Sequence, residues 1–209
     1  RPAAPSDGAE RPLSPTLQRL RDEANALMPL AQSNLTRRFL AATSSLPPVA
    51  SRTVYMNEVS REYFSPAAKA SLPAATQAKL AEVTLDEYRY YYTKYGSPLA
   101  YIRPLELVQA RGFSEVDGKL IADLGYGGIG HLRLMASLGA HVTGMDPDSY
   151  LNALYAERRD QGSVPPARDV RRGAAGSITL AHGYWPKDPR MVERVGQVAE
   201  RATEAVAHG

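Results

Sequence analysis

Lys119-Leu-Ile-Ala-Asp-Leu124 runs directly into Gly125-Tyr-Gly-Gly-Ile-Gly130, and Leu132, Met135 and Leu138 then recur at helical spacing as far as Gly139. A short apolar run, a cluster of glycines and a helical period predict strand, turn and helix in that order. Glycine in such a turn takes positive φ and lets the backbone approach a ligand closely. The free N–H groups at the start of the following helix then face whatever sits in the turn. His141-Val-Thr-Gly-Met145 reads as a second strand and ends in Asp146, 21 residues after Gly125. At that distance a carboxylate can accept two hydrogen bonds from a ribose diol. Ser177-Ile-Thr-Leu-Ala181 is a third strand of the same kind. These features predict an α/β fold with about three parallel strands and a nucleoside-binding βαβ unit. A merely structural glycine turn would use the same residues. The spacing of Gly125, Gly127 and Gly130 also suits a nicotinamide-binding domain, so spacing alone does not choose the ligand.

The residues around the glycines do discriminate. Asp123-Leu-Gly125-Tyr-Gly127 is an acid-x-Gly-x-Gly motif closing an apolar strand, where a dinucleotide-binding strand usually carries an apolar residue in place of Asp123. Together with Gly139-Ala-His-Val-Thr-Gly-Met-Asp146-Pro147, it resembles the cofactor site of the class I S-adenosylmethionine-dependent methyltransferases. The resemblance spans roughly residues 120 to 186 and implies a Rossmann-like methyltransferase sheet, apparently incomplete, with S-adenosylmethionine as cofactor. It implies that Gly125 and Gly127 border the methionine part of the cofactor, with Tyr126 and Gly130 in the same loop. It further implies that Asp123 helps to hold the amino group and that Asp146, followed by Pro147, binds the ribose hydroxyls. A structural alternative for Asp123 is a carboxylate that braces the loop by accepting backbone N–H groups.

Two departures stand out. Ile129 occupies a position where the family often has glycine, which predicts a turn opened by one residue. The third strand runs into His182-Gly183-Tyr184-Trp185-Pro186, where many members have Gly-Asp and use the acid on adenine; Tyr184 stands in that place. Adenine recognition would then rest on backbone groups and on stacking by Tyr184 or Trp185, unless those rings belong to the core. His182 is the nearest candidate for a base, but a lone His at a strand end is usually structural, and no catalytic residue is assigned.

Residues 1–117 read as a helical N-terminal region, poorly ordered over 1–13, and 118–209 as the partial cofactor-binding domain. Ser14-Pro15 sets a helix start, with Leu17, Leu20, Ala24 and Leu27 at helical spacing up to Pro29. Ser33 to Ala42, carrying Leu35, Phe39 and Leu40, predicts a second helix, whose Arg37 and Arg38 read as a solvated face. Thr84 and Glu87 suggest a capping box for a third, with Tyr88, Tyr91, Tyr92 and Tyr95 on one face. Six of the twelve Tyr fall between Tyr88 and Tyr101, which suits either a helix packed on the sheet or an adenine wall. Pro104 is expected to open a short helix.

Asp160 to Gly176 reads as a loop, and Arg158, Arg159, Arg168, Arg171 and Arg172 as its solvated charges. After Pro186 one helix follows, through Met191, Val195, Val198, Ala202 and Val206, with no further β-branched run. The expectation is therefore an N-terminal portion of a longer enzyme, lacking the strands that wall the acceptor site and showing little methyl transfer alone.

Composition narrows the classes. The chain has 209 residues, 44% hydrophobic and 22% charged, which suits a folded domain. No run reaches the ~18–20 apolar residues of a membrane span. With no Cys and four His, thiolate chemistry is absent and a His-based metal site is not expected. A formal charge of +3 gives no strong nucleic-acid signal. The expected partner is a small-molecule or unidentified acceptor, with self-association through an open sheet edge. Cytoplasmic location is favoured, although a first residue of Arg1 rather than Met leaves export open. Two other readings remain: an NAD(P)-dependent oxidoreductase domain, and a non-catalytic nucleoside-binding module.

Overall fold

The computed structural model of the chain describes residues 14–44, 46–92, 97–113, 115–166 and 175–184, together with 186, 187, 189, 190, 192, 193, 195–197, 199 and 200. The expectations placed on Tyr95, Arg168, Arg171, Arg172, Trp185, Met191, Val198, Ala202, Val206 and residues 1–13 lie outside the described residues.

Helix α1 spans Pro15–Leu27 and starts as the sequence requires. The Ser14 hydroxyl accepts the Leu17 N–H at 3.1 Å, with Pro15 at the first position, and Leu17, Leu20 and Ala24 are fully buried. A short 3-10 turn, Met28–Leu30, leads to α2, Asn34–Ser44, which packs on α1 and buries Leu35, Phe39 and Leu40, the Phe39 ring lying against Tyr92 and Tyr101.

The next stretch departs from a wholly helical N-terminal region. Strands β1 (Arg52–Asn57), β2 (Tyr63–Phe64) and β3 (Leu80–Leu85) form an antiparallel sheet in the order β2-β1-β3. Two short helices, α3 (Pro66–Ala70) and α4 (Ala74–Gln77), lie between β2 and β3. Thr53, Val54 and Tyr55 are good strand formers, and Arg52 and Val54 alternate as buried residues with more exposed neighbours. Thr84 therefore lies in β3 and caps nothing. The Asp86 carboxylate instead accepts the Arg89 N–H at 3.0 Å to start α5, Glu87–Tyr92, while Glu87 accepts a hydrogen bond from Ser14 Oγ at 2.8 Å. Tyr90, Tyr91 and Tyr92 are all buried, so the end of α5 is enclosed while Arg89 in its first turn stays exposed. Helix α6, Leu99–Ala110, contains Pro104 in its interior rather than at its start.

The second sheet comprises β4 (Leu120–Leu124), β5 (His141–Asp146), β6 (Gly162–Val164) and β7 (Gly176–His182), in the order β4-β5-β7-β6. The first three are parallel and coincide with the three expected strands; β6 is an antiparallel addition inside the stretch read as a loop. Helices α7 (Gly130–Ser137) and α8 (Ser149–Leu154) follow β4 and β5. The structure is thus mixed α/β with two sheets. Helix α7 covers the sheet face that carries Val142, Gly144 and Ile178, and α2 lies over α7. Among the described residues no helix is long and apolar enough to cross a membrane.

Arg52 on β1 ties the first sheet to the end of α8 and to the turn that leads into β6. Its guanidinium donates to Asp160 Oδ2 at 2.7 Å and Oδ1 at 2.8 Å, and to the Leu154 carbonyl at 2.9 Å. The Tyr90 hydroxyl adds a bond to Asp160 Oδ1 at 2.7 Å. Burial works against the Arg52 charge, yet the hydrogen bond and attraction from Asp160 leave its pKa raised. Burial raises the Tyr90 phenol most, with the Asp160 charge next.

Two outcomes are expected. Arg52→Ala leaves a buried carboxylate without its counter-ion and should lower the unfolding free energy by about 3–5 kcal/mol in urea titration; a loss under ~1 kcal/mol would show the pair to be dispensable. Among the described residues β4 has a neighbour on one side only, and Leu124 is 46% exposed. Such an edge pairs with other chains, so light scattering should detect self-association that Ala122→Lys on exposed Ala122 reduces.

Candidate functional site

The glycine turn between β4 and α7 is built by two residues of positive φ, Gly125 at 79° and Gly127 at 63°. The Gly125 N–H donates to the Met145 carbonyl at 2.6 Å, fixing the turn to the end of β5. Asp146 completes that attachment. Its Oδ2 accepts the Gly127 N–H at 3.3 Å and its Oδ1 the Asp148 N–H at 2.9 Å, so one carboxylate holds the turn and the approach to α8. The sequence reading placed Gly125, Gly127 and Asp146 together, and the structure does the same.

The rest of the turn faces inward. A Cβ on Gly130 would lie 2.9 Å from the Tyr91 carbonyl oxygen and 3.0 Å from the Tyr92 ring, so glycine is needed there for α5 to approach. The Ile129 N–H donates to the Tyr155 hydroxyl at 3.1 Å, and that hydroxyl donates to the Tyr90 carbonyl at 2.5 Å. Gly130 and Ile129 thus serve the contact with α5 rather than an open turn. Tyr90, Tyr91 and Tyr92 are core residues, Tyr88 is partly buried, and none of these α5 tyrosines lines the cavity described next.

Asp123 is half-buried at the end of β4, and its Oδ2 lies 2.6 Å from His131 Nε2. Its brace is therefore a side chain from the first turn of α7, not a backbone N–H. His131 is 8% exposed and stacks on the Tyr101 ring at 4.4 Å. The Nδ1 atom of His131 is buried with no hydrogen-bond partner. His131 was not foreseen in the sequence. Its signal was the eight-residue interval from Asp123, which crosses the turn and returns to the strand end.

Beyond the carboxyl ends of β5 and β7 lies a cavity of about 450 Å³. Tyr126, Asp146 and His182 line it, joined by Glu62 and Tyr63 near β2, Ser149 and Asn152 on α8, and Gln161. Tyr126 is 5% exposed and rests on Gly144, where a Cβ would stand 2.9 Å from the ring. Burial, and next the Asp146 charge, push the Tyr126 phenol well above its usual range. Gln161 Oε1 accepts the Leu180 N–H at 2.9 Å and Ser149 Oγ accepts the Tyr63 N–H at 3.1 Å, so both polar residues are held in place.

The structure does not gather every predicted residue. Pro147 is exposed, and Tyr184 is 59% exposed with Lys187 Nζ 5.8 Å from its ring centre; neither lines the cavity. Asp123 and Gly125 lie outside its wall as well. Glu62, Ser149, Asn152 and Gln161 were missed, because polar residues on a loop and a short helix carry no spacing signal of their own. Among the described residues no group of three or more His, Asp or Glu is placed to hold a metal.

No family model matches the chain, and no curated protein is significantly similar to it. Gly144→Ala should force the Tyr126 ring or Leu132 to move, since both stand under 3.0 Å from the new Cβ. The expected cost is ~1–3 kcal/mol in thermal or urea unfolding; an unchanged stability would mean that the ring yields freely.

Proposed function

We propose that the chain is a class I S-adenosylmethionine-dependent methyltransferase, or the cofactor-binding portion of one, with a Rossmann-like sheet. The observation that carries this reading is Asp146, which ends β5, accepts the Gly127 N–H and lines the cavity beyond the strand ends. A crevice outside the carboxyl ends of parallel strands is where open α/β sheets bind nucleosides.

The residues present fit the nucleoside half of the cofactor. An ionised carboxylate offers about four lone-pair sites, and Asp146 spends one on each of two backbone N–H groups. The remainder can accept a ribose diol. Ser149, Asn152, Gln161 and the backbone at the end of β7 supply polar groups for a base. The methionine half would extend toward Gly125 and Asp123, whose carboxylate His131 holds in position. S-adenosylmethionine, when bound, supplies an electrophilic methyl group. What the chain contributes is orientation, because holding the reacting atoms in line is the dominant requirement of such a transfer. No side chain is assigned as a base, and the acceptor is a small molecule or another unidentified group.

A nicotinamide cofactor is the weaker reading. Its pyrophosphate needs the backbone at the start of the helix, and here Gly130 is pressed against α5 while the Ile129 N–H is used by Tyr155. The partly exposed Asp123 on β4, a strand with a neighbour on one side only among the described residues, favours instead, as a second reading, a module that binds the nucleoside without enclosing an acceptor.

Calorimetric titration separates these. S-adenosylhomocysteine or S-adenosylmethionine should bind more tightly than NAD, and tighter binding of NAD would sink the proposal. Asp146→Ala removes charge-assisted hydrogen bonds worth ~1.5–3 kcal/mol, so affinity should fall at least tenfold in a variant shown to be folded. Tight cofactor binding with no methyl transfer to a broad acceptor panel would select the non-catalytic module.

A further inference from the structure

On the far side of α7 lies a second cavity, of about 680 Å³, that shares no lining residue with the first. It runs between α2 and α7 and is bounded by the segment around Val164 to Pro166. The residues Gly130, Arg133, Leu134, Ser137 and Leu138 face it from α7, a stripe at helical spacing. Its size falls within the range of small-molecule sites, ~300–1,000 Å³.

The chemistry of the wall is one-sided. Arg21, Arg38 and Arg133 all line it and no carboxylate does so among the described residues. Leu46, Leu134 and Leu138 make much of the remainder apolar. The hydroxyls offer little to a ligand, since Ser44 and Ser137 donate to the Ala41 and Leu134 carbonyls and Thr43 is bonded to Tyr92. The guanidinium groups are different. Arg21 spends one nitrogen on the Leu46 carbonyl at 2.8 Å, but its Nε is buried without a partner. Arg133 has no side-chain hydrogen bond or ion pair with any described residue. Positive charge here also reaches the buried Tyr91 hydroxyl. Burial pushes that phenol up to about 12, while Arg133 and Arg21 pull against the rise.

Guanidinium groups remain charged at any physiological pH and match carboxylate or phosphate in a two-point geometry. Arg21 and Arg133 face a groove whose described lining holds no carboxylate, and guanidinium groups short of hydrogen-bond partners gain free energy when an anion supplies them. We infer that this groove is a binding site for a small acidic amphiphile, with a carboxylate or phosphate head on Arg133 and Arg21 and an apolar body along Leu134 and Leu138. Its ligand is distinct from a nucleoside, and the site does not depend on the function proposed above.

The test is calorimetric titration of the full chain with octanoate, octyl phosphate and octylammonium, which share one tail and differ in head. The two acids should bind at least tenfold more tightly than the amine, and their ratio tells carboxylate from phosphate. Octanoate affinity should fall at least tenfold in Arg133→Gln and should not change when S-adenosylhomocysteine is added. Ala41→Trp, which fills the groove and leaves every Arg in place, should also abolish octanoate binding; circular dichroism melting identifies which variants fold. Absent octanoate and octyl phosphate binding to wild type, equal binding of the amine, or full affinity in both folded variants would each overturn the inference. Acid binding seen only with anionic vesicles would do so too, by assigning the charge to a lipid surface.

Discussion

The buried pair of Arg52 and Asp160 is the constraint on which the rest of the architecture depends. Arg52 is 6% exposed and Asp160 1%, so each has been taken almost wholly out of water. Desolvation at that level is repaid only by near-complete hydrogen bonding. Asp160 receives two bonds from Arg52 and one from Tyr90, and Arg52 gives a further one to the Leu154 carbonyl. Few alternative arrangements could satisfy both ions. The pair therefore fixes where β1, α5 and the end of α8 meet, although a hydrophobic substitute could match its stability. Arg52 Nε remains buried and unsatisfied, which shows that the geometry is not free of cost.

From that junction the constraint reaches the glycine turn. Tyr90 is held by Asp160, and its neighbours Tyr91 and Tyr92 are held against Gly130. Tyr155, whose hydroxyl bonds both Ile129 and Tyr90, carries the same connection across the start of α7. A displacement of the N-terminal sheet would thus be felt at the turn that borders the cavity. The N-terminal region is part of the site's support rather than an extension beside it, with Glu62 and Tyr63 contributing directly to the cavity wall.

This explains which parts were legible in the sequence. Strands β4, β5 and β7 carried their own signal, because each reads as a short apolar run bounded by turns. Ser14, Asp146 and the positive-φ glycines were legible for a similar reason, since each acts within a few residues of a local motif. The N-terminal sheet was not. Strand β1 starts with an arginine facing inward, and its partner Asp160 lies 108 residues away, so a charged residue at a core position gave no hint of burial. Thr84 and Glu87 matched a capping pattern, yet Asp86 stands directly before α5 and caps it, while β3 claimed Thr84. Pro104 was read as a helix start, but the helix already begins at Leu99 and carries the proline inside.

The glycines around the turn are required for different physical reasons. A Cβ at Gly125 would meet nothing within 4 Å, so that residue is required by its φ of 79° and leaves space on the side of the strand ends. A Cβ at Gly130 would collide with α5, so that residue is required by packing. Gly144, one strand away, is required by the Tyr126 ring that floors the cavity. Three glycines of similar appearance thus answer to a backbone angle, a helix contact and an aromatic floor. Spacing records their sum and not their separate causes, which is why a Gly-x-Gly-x-x-Gly pattern could suit two cofactors while the structure gives the third glycine to α5. What separates the two is which N–H groups remain available once the core is satisfied, and that is a property of the distant residues packed behind the turn.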